Sequence, residues 1–144
     1  MTVKANGEPD FASKYLMLYG QTYDIDCKTI SPQMMERILS GVAGSEDENT
    51  RRVLSQIKSI RILTTEPNTC QAKTLFEKAE ELAAQNKRRY SVYSQAHGQN
   101  IYVRRRGKQF LELVVVKQKE DRTFYMLNLT GYLSDNFLQQ VLKM

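Results

Sequence analysis

The spacing of apolar positions changes period along the chain, and each change marks an element. In DFASKYLMLYG, residues 10–20, Phe11, Tyr15, Leu18 and Tyr19 share one helical face, Asp10 can cap the start and Gly20 suits the end. TYDIDCKTI then alternates, with Tyr23, Ile25, Cys27 and Thr29 on an inward side and Asp24, Asp26 and Lys28 on a wet one. SPQMMERILSG predicts a second helix, with Ser31 as cap, Pro32 at its first position, Gly41 as stop, and Met34, Met35, Ile38 and Leu39 as its apolar side. Residues 41–50, GVAGSEDENT, are small, acidic and aperiodic and read as a mobile loop. Thr50 can cap a helical turn through Val53, Leu54 and Ile57, and SIRILTTE reads as the second strand.

PNTCQAKTLFEKAEELAAQNKRR carries the longest helical stripe: Ala72, Leu75, Phe76, Ala79, Leu82 and Ala83. From residue 89 the period becomes two. RYSVYSQ, QNIYVRR, QFLELVVVK and RTFYMLNLT read as four strands, joined around His97-Gly98, around Arg106-Gly107 and across 119–122. Connections this short make the neighbours antiparallel, a C-terminal four-stranded meander. LSDNFLQQVLKM closes the chain as a helix capped by Ser134. The predicted class is α+β: a mainly antiparallel sheet with helices packed chiefly on one face, as a single domain over 11–144 behind a disordered segment at 1–10.

A chain of 144 residues can bury a substantial core, and its longest apolar run, LVVV at 113–116, is strand-sized rather than membrane-sized. The opening MTVKANGEPD lacks the apolar stretch of a secretory signal, which fits either a cytosolic protein or one whose leader has been removed. The net charge of +5 is uneven: residues 1–50 hold four Lys/Arg against eight Asp/Glu, residues 51–108 thirteen against four. A basic middle can attract nucleic acid or an acidic surface, although scattered cations usually form solvated faces.

Candidate chemistry is sparse. Cys27 and Cys70 match no metal or redox spacing; Cys27 is expected in the core, and Cys70 in the first turn of the long helix, opposite its apolar stripe. His97 reads as a turn residue, and Asp24 and Asp26 as solvated strand positions without a third ligand. No phosphate loop, dinucleotide fingerprint, nucleophile elbow or zinc-protease motif occurs, so no catalytic, cofactor-binding or metal residue is assigned. In IYVRRRGKQF, alternation sends Arg104 and Arg105 to opposite faces, with Arg106 and Lys108 flanking Gly107 in the turn. These four, Arg104, Arg105, Arg106 and Lys108, are the candidate partner contacts, as a charged hairpin tip rather than a row along one face. Tyr90, Tyr93, Tyr102 and Tyr125 could offer stacking surfaces to bases, but the glycine-aromatic signature of an RNA-recognition strand is missing.

The segments YDIDCKTISPQMMERIL, IKSIRILTTEP, AKTLFEKAEELAAQNKRRY and NIYVRRRGKQFLELVVVKQKEDRTFYMLNLTGYLS, with the final short helix, resemble one family. It is the domain of unknown function numbered four-two-five-two, found in small exported proteins of gut Gram-negative bacteria. The resemblance runs from about residue 11 to the end and lies in element order and apolar spacing. It implies an exported, often lipoprotein-type protein of the periplasm or cell envelope, tethered through an N-terminal lipid-bearing segment absent here, and it carries no catalytic residues. The acidic segment GSEDENT and the arginine tip depart from the family's usual pattern. The expected function is a non-enzymatic module contacting a protein partner through its exposed sheet face, the hairpin tip or the 41–50 loop. The alternative is a cytosolic nucleic-acid-binding domain using the basic region 51–108.

Overall fold

A computed structural model describes residues 9–42, 48–120 and 122–142. Its elements follow the order α1 (Phe11–Tyr19), β1 (Asp26–Ile30), α2 (Pro32–Val42), α3 (Glu48–Ser55), β2 (Ile57–Thr64), α4 (Ala72–Gln85), β3 (Ser91–Ala96), β4 (Gln99–Arg106), β5 (Gln109–Gln118), β6 (Phe124–Leu133) and α5 (Asp135–Leu142). The strands form one six-stranded sheet in the order β1-β2-β6-β5-β4-β3, with every neighbouring pair antiparallel. The four C-terminal strands are the expected meander, and β2 pairs with the last of them, β6. The protein is α+β with an antiparallel sheet.

Helices cover both faces of this sheet, which corrects the expectation of one helical face. On one side α1 and α4 pack Phe11, Tyr15, Leu75 and Leu82 against Leu63, Tyr102, Val114, Val116, Phe124 and Met126. On the other, Met35 of α2 and Phe137 and Leu138 of α5 meet Ile57, Ile101, Val103, Leu113, Val115 and Leu129, with Val53 and Leu54 of α3 alongside. The reason lies in β5: Leu113 and Val115 belong to one core, Val114 and Val116 to the other, so a strand apolar on both faces needs a layer over each. Each such side chain contributes roughly 1.5–3 kcal/mol on burial.

Several local expectations hold in atomic detail. Asp10 caps α1, its carboxylate accepting the Ser13 N–H at 2.8 Å. The Ser31 hydroxyl accepts the Met34 N–H at 3.2 Å, and the Ser134 hydroxyl the Phe137 N–H at 3.1 Å. Gly107 takes φ +62 in the β4–β5 turn, where a left-handed residue is required. Others are corrected. Leu18 is exposed, because α1 turns Phe11, Ala12 and Tyr15 to the sheet instead. Cys27 is exposed, because β1 is an edge strand left uncovered; Cys70 is exposed in the turn before α4, and both thiols are free. Of the expected 41–50 loop, residues 41–42 end α2 and 48–50 begin α3, while 43–47 lie outside the described residues, as does 1–8 of the N-terminal segment.

Candidate functional site

A helix begins with four backbone N–H groups that have no partner in the helix. In α1 those of Phe11, Ala12 and Ser13 are each met from a defined place. Glu112 Oε2 accepts the Phe11 N–H at 2.7 Å and Asn128 Oδ1 the Ala12 N–H at 2.8 Å. The Asp10 side chain accepts from Ser13, and its carbonyl takes the Lys14 N–H as the first regular bond of the helix. The sheet thus caps the helix that lies on it.

Glu112 is 0% exposed, and a buried carboxylate is tolerable only when fully hydrogen-bonded and paired. Its Oε1 accepts the Tyr90 hydroxyl at 2.9 Å and Arg104 Nε at 3.0 Å, and its Oε2 takes Asn128 Nδ2 at 3.0 Å besides the Phe11 N–H. Four donors on two oxygens leave this carboxylate committed to structure. Burial first, and then the Glu112 charge, push the Tyr90 phenol well above its ordinary value of 10.0. A second ion pair runs beside it: Arg61 Nε bonds Asp10 at 2.9 Å, and its Nη1 reaches the Thr29 hydroxyl at 3.1 Å.

The strands place this network at a defined level of the sheet. Cross-strand pairing aligns Ser59 of β2, Thr130 of β6, Glu112 of β5 and Arg104 of β4 in one row, and the Ser59 and Thr130 hydroxyls bond each other. Immediately beyond that row the register slips in all three ladders, between Ile57 and Ser59, Phe110 and Glu112, and Arg104 and Arg105. Bulges bend strands and re-aim side chains, and aligned across neighbours they open the surface. At this band lies a cleft of about 290 Å³ lined by Asp10, Pro32, Lys58, Arg104, Leu111, Thr130, Gly131 and Tyr132.

The four residues expected to act together at the tip divide. Arg104 turns inward, its side chain 23% exposed and ion-paired to Glu112, whereas Arg105, Arg106 and Lys108 remain exposed. Arg105 sits 5.5 Å over the Phe110 ring. Among the described residues, no acidic group forms a salt bridge with Arg105, Arg106 or Lys108. The tyrosines weighed as a base-stacking face do not form one: Tyr90 and Tyr102 are buried beneath α1, where Phe11 lies 5.2 and 6.1 Å from their rings. His97, Asp24 and Asp26 are exposed, and among the described residues no group of three or more His, Cys, Asp and Glu is placed to hold a metal. Glu112, Asn128 and Lys58 were not singled out from the sequence. A signal existed for two of them: one glutamate inside FLELVVV and one asparagine inside YMLNLTG, each a lone polar residue in an apolar strand.

The fold and this site define a helix-covered antiparallel sheet whose ion-paired, bulged strip opens to solvent. The model of the family described as Domain of unknown function (DUF4252) matches residues 19–141, and the chain belongs to that family. No curated protein and no solved structure matches it.

Proposed function

We propose that this protein is a non-enzymatic interaction module of the bacterial cell envelope that binds an acidic protein partner through its β4–β5 hairpin tip. The observation carrying this reading is the division inside one tripeptide. Arg104 is consumed by the buried Glu112, while Arg105, Arg106 and Lys108 are exposed at the β4–β5 turn without an acidic partner among the described residues. Cations held apart from internal partners supply steering and orientation for an oppositely charged surface. The committed state of Glu112 supports a non-catalytic role, since a carboxylate already accepting four hydrogen bonds is poorly placed to take a substrate proton. The envelope location, with a lipid-bearing tether ahead of the domain, rests on the family resemblance.

The test is cross-linking in native cells after fractionation, comparing wild type with Arg105→Glu, Arg106→Glu, Lys108→Glu. Loss of a cross-linked envelope complex in the variant supports the reading. An unchanged complex, or a cytosolic protein, refutes it.

A further inference from the structure

We infer that the bulge-lined cleft is a binding site for an organic monocarboxylate, with Lys58 as the residue that receives the charge. The first argument is charge balance. Two carboxylates, Asp10 and Glu112, stand at the cleft or directly behind it, paired with Arg61 and Arg104 at 2.9 and 3.0 Å. Lys58 lines the same cleft as a third cation, exposed and without a salt bridge among the described residues. Among the charged groups that line the cleft and their ion-pair partners, three cations stand against two anions, and the one remaining positive charge matches a singly charged carboxylate better than a doubly charged phosphate.

The second argument is the supply of donors. Arg104 bonds Glu112 through Nε, and among the described residues its two amino groups make no hydrogen bond or ion pair, so a ligand in the cleft can share the guanidinium. The third is the wall. Leu111, Pro32 and the ring of Tyr132, which is 63% exposed, provide apolar surface beside the cations, suited to an acid with a short aliphatic body. The fourth is local architecture: Lys58 and Leu111 are the residues displaced by the bulges of β2 and β5, so the irregularities of two strands deliver these side chains to one place. The tip residues Arg105, Arg106 and Lys108 take no part, so this inference and the tip reading can fail independently.

The test is a ¹H–¹⁵N titration of the whole chain with N-acetylleucine, with N-acetylleucinamide as its uncharged counterpart and a hexapeptide ending in a free leucine carboxylate. Saturable shifts at Lys58, Leu111, Gly131 and Tyr132 are expected with the two acids and not with the amide. Lys58→Gln should weaken binding roughly fivefold, the scale of one partly solvated ion pair, and Lys58→Arg should restore it. Equal affinity of the two acids identifies a free acid as sufficient; a tighter hexapeptide identifies a chain end. Absence of saturable shifts, equal shifts from the amide, or unchanged affinity in a folded Lys58→Gln protein overturns the inference.

Discussion

Glu112 Oε2 accepts the backbone N–H of Phe11 at 2.7 Å across 101 positions of sequence. A side chain on the second of the meander's central strands therefore fixes the first residue of the first helix. The same carboxylate holds Tyr90 and Arg104 on its other oxygen, so one residue joins α1, the approach to β3, β4 and β5.

Replacing Glu112 by leucine strands a buried N–H, a phenol and a guanidinium at once. Loss of one member of a buried ionic network costs about 3–5 kcal/mol, a large part of a domain's total stability. Glu112→Gln keeps one acceptor oxygen but turns an amide donor toward donors, at a cost of roughly 1–3 kcal/mol. Urea midpoints should fall in the order wild type, glutamine, leucine; equal midpoints would show that the network contributes nothing.

Neighbouring arginines should behave as different kinds of residue. Arg104→Met leaves Glu112 buried without its cation and should cost about 3–5 kcal/mol. Arg105→Gln and Arg106→Gln should each stay within about 0.5 kcal/mol of wild type, Arg105 losing only its contact with Phe110. Thermal melts of the three single variants decide the matter.

Gly131 and Gly107 both have positive φ, yet alanine should be tolerated differently at each. At Gly131, φ is +156 and a Cβ would run into the Gln56 carbonyl, which also accepts the Tyr132 N–H at 3.0 Å. Backbone must move to admit it, and Gly131→Ala should cost roughly 2–3 kcal/mol. At Gly107 a Cβ meets nothing within 4 Å, so Gly107→Ala should cost only the left-handed backbone penalty of roughly 1 kcal/mol. Chemical denaturation of the pair tests the ranking.

Burial raises the Tyr15 phenol far above its ordinary value of 10.0, with Tyr19 and Tyr23 adding to the shift, and Tyr90 is raised in the same direction. Above pH 10 the unfolded chain releases protons that the folded chain retains, so ionisation draws the equilibrium toward unfolding. The contribution is complete below pH 10 and is lost as pH rises, at about 1.4 kcal/mol per unit for each such tyrosine. Tyr15 also donates to the Leu75 carbonyl at 2.7 Å, so Tyr15→Phe should cost about 1 kcal/mol at neutral pH. The same variant should flatten the alkaline fall in urea midpoint between pH 9 and 11. A slope unchanged from wild type would contradict the assignment.

The meander was legible because its strands alternate and its turns carry Gly98 and Gly107, short-range chemistry that decides pairing locally. The stripe of α4 was legible for the same reason, since five of its six residues, Phe76 excepted, are buried as one face. Placement of β2 against β6 was not, because nothing local distinguishes one sheet edge from another. Cys27 misled: alternation predicts a side, but whether that side is covered depends on where the strand falls in the sheet. Arg104 misled for the opposite reason. Among three arginines it looked like surface, and only the register Arg104↔Glu112 turns it into a counter-ion. The cleft arises from register slips between strands distant in sequence, which no single segment reveals.

The capping of α1 by Glu112 and Asn128 also sets an order of events. A chain emerging from the ribosome amino end first presents α1 long before its acceptors exist, and six of its nine residues, Phe11, Tyr15, Leu16, Met17, Leu18 and Tyr19, are large apolar or aromatic. The helix can dock only after β6 has been made and paired with β5. Docking of α1 thus depends on contacts spanning most of the polypeptide, the regime in which formation is slow. Until residue 128 is available, the amino end of α1 lacks an acceptor that the sheet provides.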